Sequence, residues 1–223
     1  MKQHSIKVIS VEKATHDVLR IVTEKPQHYR FEPGQATDVA IDKPGWDNEK
    51  RPFTFTCLPE NNYLEFTIKT YPQHQGVTNE LLKLKLGENL IIEAPWGTIG
   101  YKGEGVFIAG GAGITPFISI FRHLRSQNQI GNNKLIFANK TVADIINETE
   151  FKEMLGQNFI NILSEENTTE YAYGLVNEDF LKKNISNLNG YVYLCGPDEM
   201  LNQIEKQLSN LRIPKELIVK EEF

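Results

Sequence analysis

Two stretches of this 223-residue chain put glycines, a small hydroxyl residue or a thiol, and a proline where an apolar run gives way to a helical one. The first is Ile108-Ala109-Gly110-Gly111-Ala112-Gly113-Ile114-Thr115-Pro116. Glycines let the backbone approach a ligand closely and take positive φ. Thr115 suits a helix cap and Pro116 a first turn. The exposed amides of such a helix start suit an anion, a pyrophosphate above all. The spacing departs from the common dinucleotide fingerprint, because Pro116 stands where its third glycine would be. A tight strand-to-helix turn without a ligand accounts for the same residues. The second stretch is Tyr193-Leu194-Cys195-Gly196-Pro197-Asp198-Glu199-Met200. It sets a thiol at the end of a strand, with Met200, Ile204 and Leu208 following down one helix face. No histidine lies near Cys195 in sequence to activate it, so a small buried hydrophobe is the plainer reading.

Three further stretches carry chemistry of a related kind. In Arg51-Pro52-Phe53-Thr54-Phe55-Thr56, an arginine beside an alternating strand can pair with a phosphate in bidentate fashion. Phe53 can stack on a flat heterocycle, and Thr54 can hydrogen-bond a ring nitrogen. A strand with one surface arginine is the alternative. Gly76-Val77-Thr78-Asn79-Glu80 reads as a helix start whose amides face an anion, or as an ordinary cap. The final Lys220-Glu221-Glu222-Phe223 ends on an aromatic ring, either pinned at a site or frayed.

Two kinds of rhythm must position these residues. Up to about residue 100 the chain reads as short strands separated by turns: Ile6 to Val11, Val18 to Thr23, Ala36 to Ile41, Arg51 to Cys57, Tyr63 to Thr70 and Asn89 to Ala94. Phe53, Phe55 and Cys57 alternate with Thr54 and Thr56 at period two. One helix is expected from about Val77 to Leu86. Such a set suggests a barrel or sandwich. After about Lys102 strands and helices alternate. Strands are expected at Gly105 to Ala109, Lys134 to Asn139, Asn158 to Ser164, Gly190 to Cys195 and Glu216 to Lys220. Helices are expected between them, the first with Phe117, Ile120, Phe121 and Leu124 on one face. This alternation means βαβ units and a parallel sheet, with ligands outside the carboxyl ends of its strands.

Composition removes several other readings. The chain is 40% hydrophobic and 24% charged, ordinary globular usage. Its mean hydropathy is -0.38, and no apolar run approaches the ~20 residues of a membrane span. The N-terminus turns polar too soon for a secretory signal, so a cytoplasmic protein that touches no membrane is expected. A net charge of -5 argues against nucleic acid as the partner. Two cysteines, Cys57 and Cys195, cannot alone make a disulfide scaffold, a four-thiolate zinc site or an iron–sulfur cluster. His4, His16, His28, His74 and His123 show no metal-ligand spacing, so no metal is expected.

Taken together and in order, the motifs resemble the ferredoxin–NADP reductase superfamily over essentially the whole chain. The resemblance implies an N-terminal six-stranded antiparallel Greek-key β-barrel for a flavin, residues 1–101. It implies a C-terminal five-stranded parallel Rossmann-like α/β sheet for a nicotinamide nucleotide, residues 102–223. The family's flavin motif, Arg-x-Tyr-(Ser/Thr), is similar to Arg51-Pro52-Phe53-Thr54, with Phe53 replacing the tyrosine. By that resemblance Arg51 neutralises the flavin's phosphates, Phe53 stacks on its ring, and Thr54 hydrogen-bonds the nitrogen that accepts hydride. Ile68, Lys69 and Thr70 line the ring, and Gly76, Val77 and Thr78 match the pyrophosphate motif. Glu93-Ala94-Pro95-Trp96-Gly97 is similar to the family's turn near the domain junction.

On the nucleotide side the resemblance implies Gly111, Gly113, Thr115, Pro116, Asn139, Gly196, Pro197 and Met200, with Cys195 against the nicotinamide. Phe223 would cover the flavin, with Glu221 hydrogen-bonding nearby. Leu135 to Thr141 and Tyr173 to Asn177 look most like the NADH-dependent cytochrome reductases and nitrate reductases. Glu165 and Glu166 stand where an NADPH enzyme would carry Arg or Lys, which favours NADH. The implied cofactor is FAD rather than FMN, because Arg51 and the Thr78 helix start together suit a diphosphate. The implied reaction is hydride transfer from NAD(P)H to FAD, then single electrons to a separate acceptor protein such as flavodoxin or ferredoxin. Docking would need a local basic patch, with Lys43, Lys50 and Lys69 as candidates. Two alternatives stay open: a reductase of free flavin, oxygen or a quinone, and a nucleotide-sensing module without catalysis.

Overall fold

A computed structural model describes residues 3–97, 99–185 and 189–220. The first half contains β1 (His4–Lys13), β2 (Val18–Glu24), β3 (Ala36–Ile41), β4 (Arg51–Thr54), β5 (Tyr63–Lys69) and β6 (Asn89–Ile92). They form one antiparallel sheet in the order β4-β3-β6-β1-β2-β5. Its edges meet where Phe55, just past β4, bridges Phe66 of β5, and the Thr56 amide donates to the Glu65 carbonyl at 2.8 Å. The sheet therefore closes on itself as a barrel, which removes exposed edges. β1 pairs with β6 through His4–Lys7 and with β2 from Val8 onward, and an irregularity between Val8 and Ser10 lets it turn between the two. Alternate residues point inward: Ile6, Val8, Ile21, Phe66 and Ile68 join Phe55 in a sealed core.

The helix expected from Val77 to Leu86 is shorter. α1 (Val77–Glu80) is one turn, continued by a 3-10 turn over Leu81–Lys83. Leu84 then turns extended at ψ 134. Val77 and Leu81 are buried in the barrel core, which holds this turn in place.

The second half alternates as expected. In chain order it contains β7 (Gly105–Gly110), α2 (Thr115–Ser126), β8 (Lys134–Asn139), α3 (Glu148–Leu155) and β9 (Phe159–Leu163). Then come β10 (Ala172–Tyr173), α4 (Glu178–Asn184), β11 (Tyr191–Cys195), α5 (Asp198–Asn210) and β12 (Ile218–Lys220). The sheet is parallel throughout in the order β10-β9-β8-β7-β11-β12. It has six strands where the sequence implies five. The addition is β10, a two-residue edge strand beside Ile162 and Leu163 that is too short to show a period.

Apolar clusters cover both faces of this sheet, as its continuous strand sequences require. Phe107, Phe137 and Tyr193 face α2 and α3, while Ile108, Ile136 and Leu194 face α4 and α5. No helix among the described residues is long and apolar enough to cross a membrane.

Candidate active site

The carboxyl ends of β7, β8 and β11 gather the nucleotide-side residues. Cys195 lies opposite Ala109 in the ladder, so the two glycine-bearing stretches are direct neighbours. Their glycines are required by that closeness. A Cβ on Gly113 would overlap the Cys195 carbonyl, and one on Gly110 would overlap the Met200 sulfur and lie 3.1 Å from Pro197 Cδ. Gly196 is close-packed but less tight, with an added Cβ 3.1 Å from the Gly110 nitrogen. Gly111 differs. It has φ +50, and a Cβ there would meet nothing within 4 Å, so its backbone faces open ground.

The helix start differs in detail from its sequence reading. A 3-10 turn over Gly111–Ile114 precedes α2, whose first residue is Thr115 itself. Thr115 does not cap the helix. Its hydroxyl donates back to the Ala112 carbonyl at 3.1 Å, and Pro116 falls in the first turn. Cys195 is half-buried rather than sealed in the core.

Asn139 ends β8 beside the glycine turn and is 8% exposed. Both its side-chain Oδ1 and Nδ2 are buried, and neither has a partner among the described residues. A buried unpaired amide costs about 1–3 kcal/mol per group, so a site that keeps one implies a ligand that satisfies it. A nucleotide crossing this edge carries the donors and acceptors required.

Glu165 sits just past β9, and its amide donates to the Lys140 carbonyl at 2.9 Å. Its carboxylate pairs with the Lys140 ammonium at 2.9 Å. Glu166 is used locally, accepting from the Val142 amide at 2.8 Å. The pairing of Lys140, beyond the end of β8, is not legible in sequence, because its partner Glu165 follows the neighbouring strand β9.

On the barrel, β4 pairs with β3, so Phe53 lies opposite Thr37 and Thr54 opposite Ala36. Phe53 and Thr54 are half-buried, while Arg51 and Pro52 are exposed. Arg51 donates to the Lys50 carbonyl at 2.6 Å and lies 3.8 Å from Glu49, a surface position from which it can swing. Ile68 points into the barrel core. Thr70 is clasped by the Asp17 carbonyl, which accepts from its amide at 2.7 Å and its hydroxyl at 2.8 Å. Gly76 precedes α1 in extended conformation and its carbonyl accepts from Asn79 and Glu80. Thr78 is half-buried at the barrel surface. At the junction turn, Trp96 pairs both ways with Ala36 and donates its indole N–H to Asp38 at 3.2 Å. Glu221 and Phe223 lie outside the described residues.

Lys69 brings the two halves together. Its ammonium is 2.9 Å from Asp17 and 3.9 Å from Asp144, which follows Thr141 just beyond β8. His16 joins them, 3.8 Å from each carboxylate, with its ring nitrogen 3.4 Å from the Ala143 carbonyl. His16, Asp17 and Asp144 offer ligand atoms within 4.8 Å of one another, and Lys69 makes the group an ion-paired bridge between halves. Burial would raise the Asp17 carboxyl, but Lys69 outweighs it and holds it below the usual range. The flavin-side strand β5 thus ends at the nucleotide edge of the parallel sheet. The other lysines expected in a basic docking patch are also paired: Lys50 with Glu93 at 2.5 Å, and Lys43 with Glu88 at 3.1 Å.

A barrel with a motif-bearing strand beside an α/β sheet with a glycine turn is the two-domain architecture of flavin and nicotinamide-nucleotide binding. Residues 3–134 match the FAD-binding domain family, and residues 107–206 match the oxidoreductase NAD-binding domain family. The chain belongs to the ferredoxin reductase-like superfamily. It is 30% identical over 239 residues to the propane 2-monooxygenase reductase component of Mycolicibacterium goodii, covering 97% of this chain and 66% of that one. The chain spans about two thirds of the length of such curated relatives.

Solved structures share the fold. The flavohem-like FAD/NAD binding domain of nitric oxide dioxygenase from Vibrio cholerae superposes with a TM-score of 0.87 at 22% identity, covering 98% of each chain. A ferredoxin NADP+ reductase from Neisseria gonorrhoeae with bound FAD and NADP gives 0.83 at 19% identity, covering 99% of this chain and 98% of that one.

Proposed function

We propose that this chain takes hydride from NADH, in preference to NADPH, onto bound FAD and passes electrons singly to a separate acceptor protein in the cytoplasm. FAD supplies the conversion between two-electron and one-electron chemistry. The protein's part is to bind, align and shield two flat rings. Residues 1–101 hold the flavin. Arg51 swings to its phosphates, Phe53 stacks, Thr54 hydrogen-bonds the ring, and the backbone of Ile68, Lys69 and Thr70 lines it. Gly76, Val77 and Thr78 receive the diphosphate.

Residues 102–223 hold the nucleotide. The Gly111–Pro116 turn faces its phosphates, Asn139 hydrogen-bonds it, and Glu165 takes the ribose hydroxyls. Cys195, flanked by Gly196, Pro197 and Met200, packs beside the nicotinamide. Glu221 and Phe223 complete the flavin side. The observation that carries this reading is Asn139, a buried amide with both polar atoms unpartnered among the described residues, set beside the glycine turn on the edge that Lys69 reaches from the barrel.

The acceptor is a ferredoxin or flavodoxin. That fits relatives named as reductase components, among them a naphthalene 1,2-dioxygenase ferredoxin–NAD(P)+ reductase component of Pseudomonas putida, 24% identical. A second reading, a small acceptor such as a quinone or free flavin, is favoured by the carboxylate partners on Lys43, Lys50 and Lys69. The deciding experiment is an anaerobic NADH titration of the FAD-loaded protein. Bleaching of the yellow absorbance at one equivalent supports the reading, and a protein that takes no flavin or does not bleach refutes it. Reoxidation by ferredoxin, flavodoxin or quinone then separates the two acceptors.

A further inference from the structure

Hydride transfer between two rings held by two halves of a chain depends on what fixes the halves together. α2 is the strongest tie. It starts at the glycine turn, and one of its faces, Ser119 and Arg122 at i and i+3, is turned to the barrel. The Gly34 amide donates to Ser119 Oγ at 2.9 Å. Gly34 is at φ +98, and a Cβ there would overlap the Ile99 carbonyl and lie 3.3 Å from Ile120 Cδ1 of α2, so this turn of the barrel is pressed against the second half.

Arg122 goes further. Nη1 donates to the Thr56 carbonyl at 2.7 Å and to Glu65 Oε1 at 2.6 Å. Nε and Nη2 grip both oxygens of Glu150 on α3 at 2.6 and 2.8 Å. Glu65 is 1% exposed. It also accepts from the Thr56 hydroxyl at 2.9 Å and from Arg20 Nε at 2.7 Å. Burial alone would raise the Glu65 carboxyl, and the two guanidiniums outweigh it and hold it low.

The residues gripped are not remote from the flavin side. Thr56 follows Thr54 by two residues, and Glu65 is on β5, which runs on to Ile68 and Lys69. One rigid helix of 12 residues therefore carries the nucleotide turn at its start and a fork around the barrel's β4–β5 seam near its end. A buried ion pair is weak evidence for stability, since apolar substitutes often do as well. What it fixes is geometry.

We propose, on the reading that the rings exchange hydride, that Arg122 is a positioning residue that sets the pose of the nucleotide half against the flavin half. Its guanidinium is taken up by Thr56, Glu65 and Glu150. It acts through α2, so its loss leaves each binding site intact and misaligns the pair. A displacement on the order of 1 Å costs about 100-fold in rate.

The test compares wild type, Arg122→Met and Arg122→Lys, each loaded with FAD, by anaerobic stopped-flow mixing with NADH. In Arg122→Met the limiting rate of bleaching is expected to fall at least ~10-fold. The NADH concentration for half-maximal rate and the FAD content should stay within about threefold of wild type, because neither site is touched. Arg122→Lys, which keeps a charge for Glu65, should recover part of the rate. If Arg122→Met fails to fold, because Glu65 then keeps only Arg20 and Glu150 loses its guanidinium, the triple variant Arg122→Met with Glu65→Gln and Glu150→Gln removes the carboxylates left behind and should show the same loss. A wild-type limiting rate in whichever variant folds overturns the proposal, as does a loss accounted for wholly by missing FAD. A wild-type protein that binds FAD but does not bleach overturns the underlying function instead.

Discussion

Asn139→Leu should make the protein more stable and worse at its task. The side chain is 8% exposed, and both its polar atoms lack partners among the described residues. Each buried unsatisfied group costs about 1–3 kcal/mol, and an apolar residue of similar shape removes that cost. Leucine also fits the surroundings, since Leu135 and Phe137 precede Asn139 on the same face of β8. A net gain of about 1–3 kcal/mol would raise the melting temperature of the nucleotide-free protein by ~2–12 °C for a chain of this size. The nucleotide would lose one or two hydrogen bonds worth about 0.5–1.5 kcal/mol each, a ~2–150-fold weaker affinity. Calorimetry without NADH and a titration with it give the two readings. Asn139→Ala, which leaves a cavity, should lose stability yet show the same drop in affinity. A leucine variant that melts below wild type while binding NADH normally would mean that the amide serves the fold, and the nucleotide assignment of this edge would fail.

Gly113→Ala should lower the melting temperature by at least ~2 °C, because its Cβ would overlap the Cys195 backbone, as calorimetry would register. Glu165→Gln leaves Lys140 without its 2.9 Å partner, so the NADPH-to-NADH ratio of kcat/KM should rise on the order of tenfold in steady-state assays. Cys195→Ala should slow the bleaching step several-fold while nucleotide affinity changes less than twofold, read by stopped flow. For Glu65, whose carboxyl is held low in the folded protein, stability is fully present above the ordinary Glu value of about 4.3 and is lost as pH falls through the lower folded value. Melting curves from pH 6 down to pH 3 should therefore steepen in wild type relative to Glu65→Gln, the difference opening only below about pH 4.3.

Much of the fold is legible in the chain because local patterning and tertiary role agree. The alternation of apolar runs with helical faces predicts each long strand of the parallel sheet within a residue or two, as at Lys134–Asn139. Where the pattern misleads, a distant partner is responsible. Thr56 and Glu65 are polar residues of the barrel, yet both are buried, because Arg122 of α2 in the other half closes over them. Nothing local announces Arg122, one arginine among the polar residues of an amphipathic helix. Lys140 and Lys69 look like free surface cations, and their carboxylates come from elements far away in sequence. The glycines were legible as a group but not one by one. Gly113 and Gly110 are demanded by packing, Gly111 by its φ of +50 and the open ground in front of it.

The phenol of Tyr193 has a bearing on how the two lobes move. It is buried on β11, an inner strand of the parallel sheet, accepts from the Lys102 and Gly103 amides at 2.9 and 3.0 Å, and donates to the Gly103 carbonyl at 2.7 Å. Those residues are the covalent crossing from one lobe to the other. A hinge needs backbone torsions free to rotate, and here the crossing is moored to an inner strand. Turnover is then a matter of small side-chain adjustments around a fixed frame, and engineered insertions meant to loosen the lobes belong before Lys102 rather than after it.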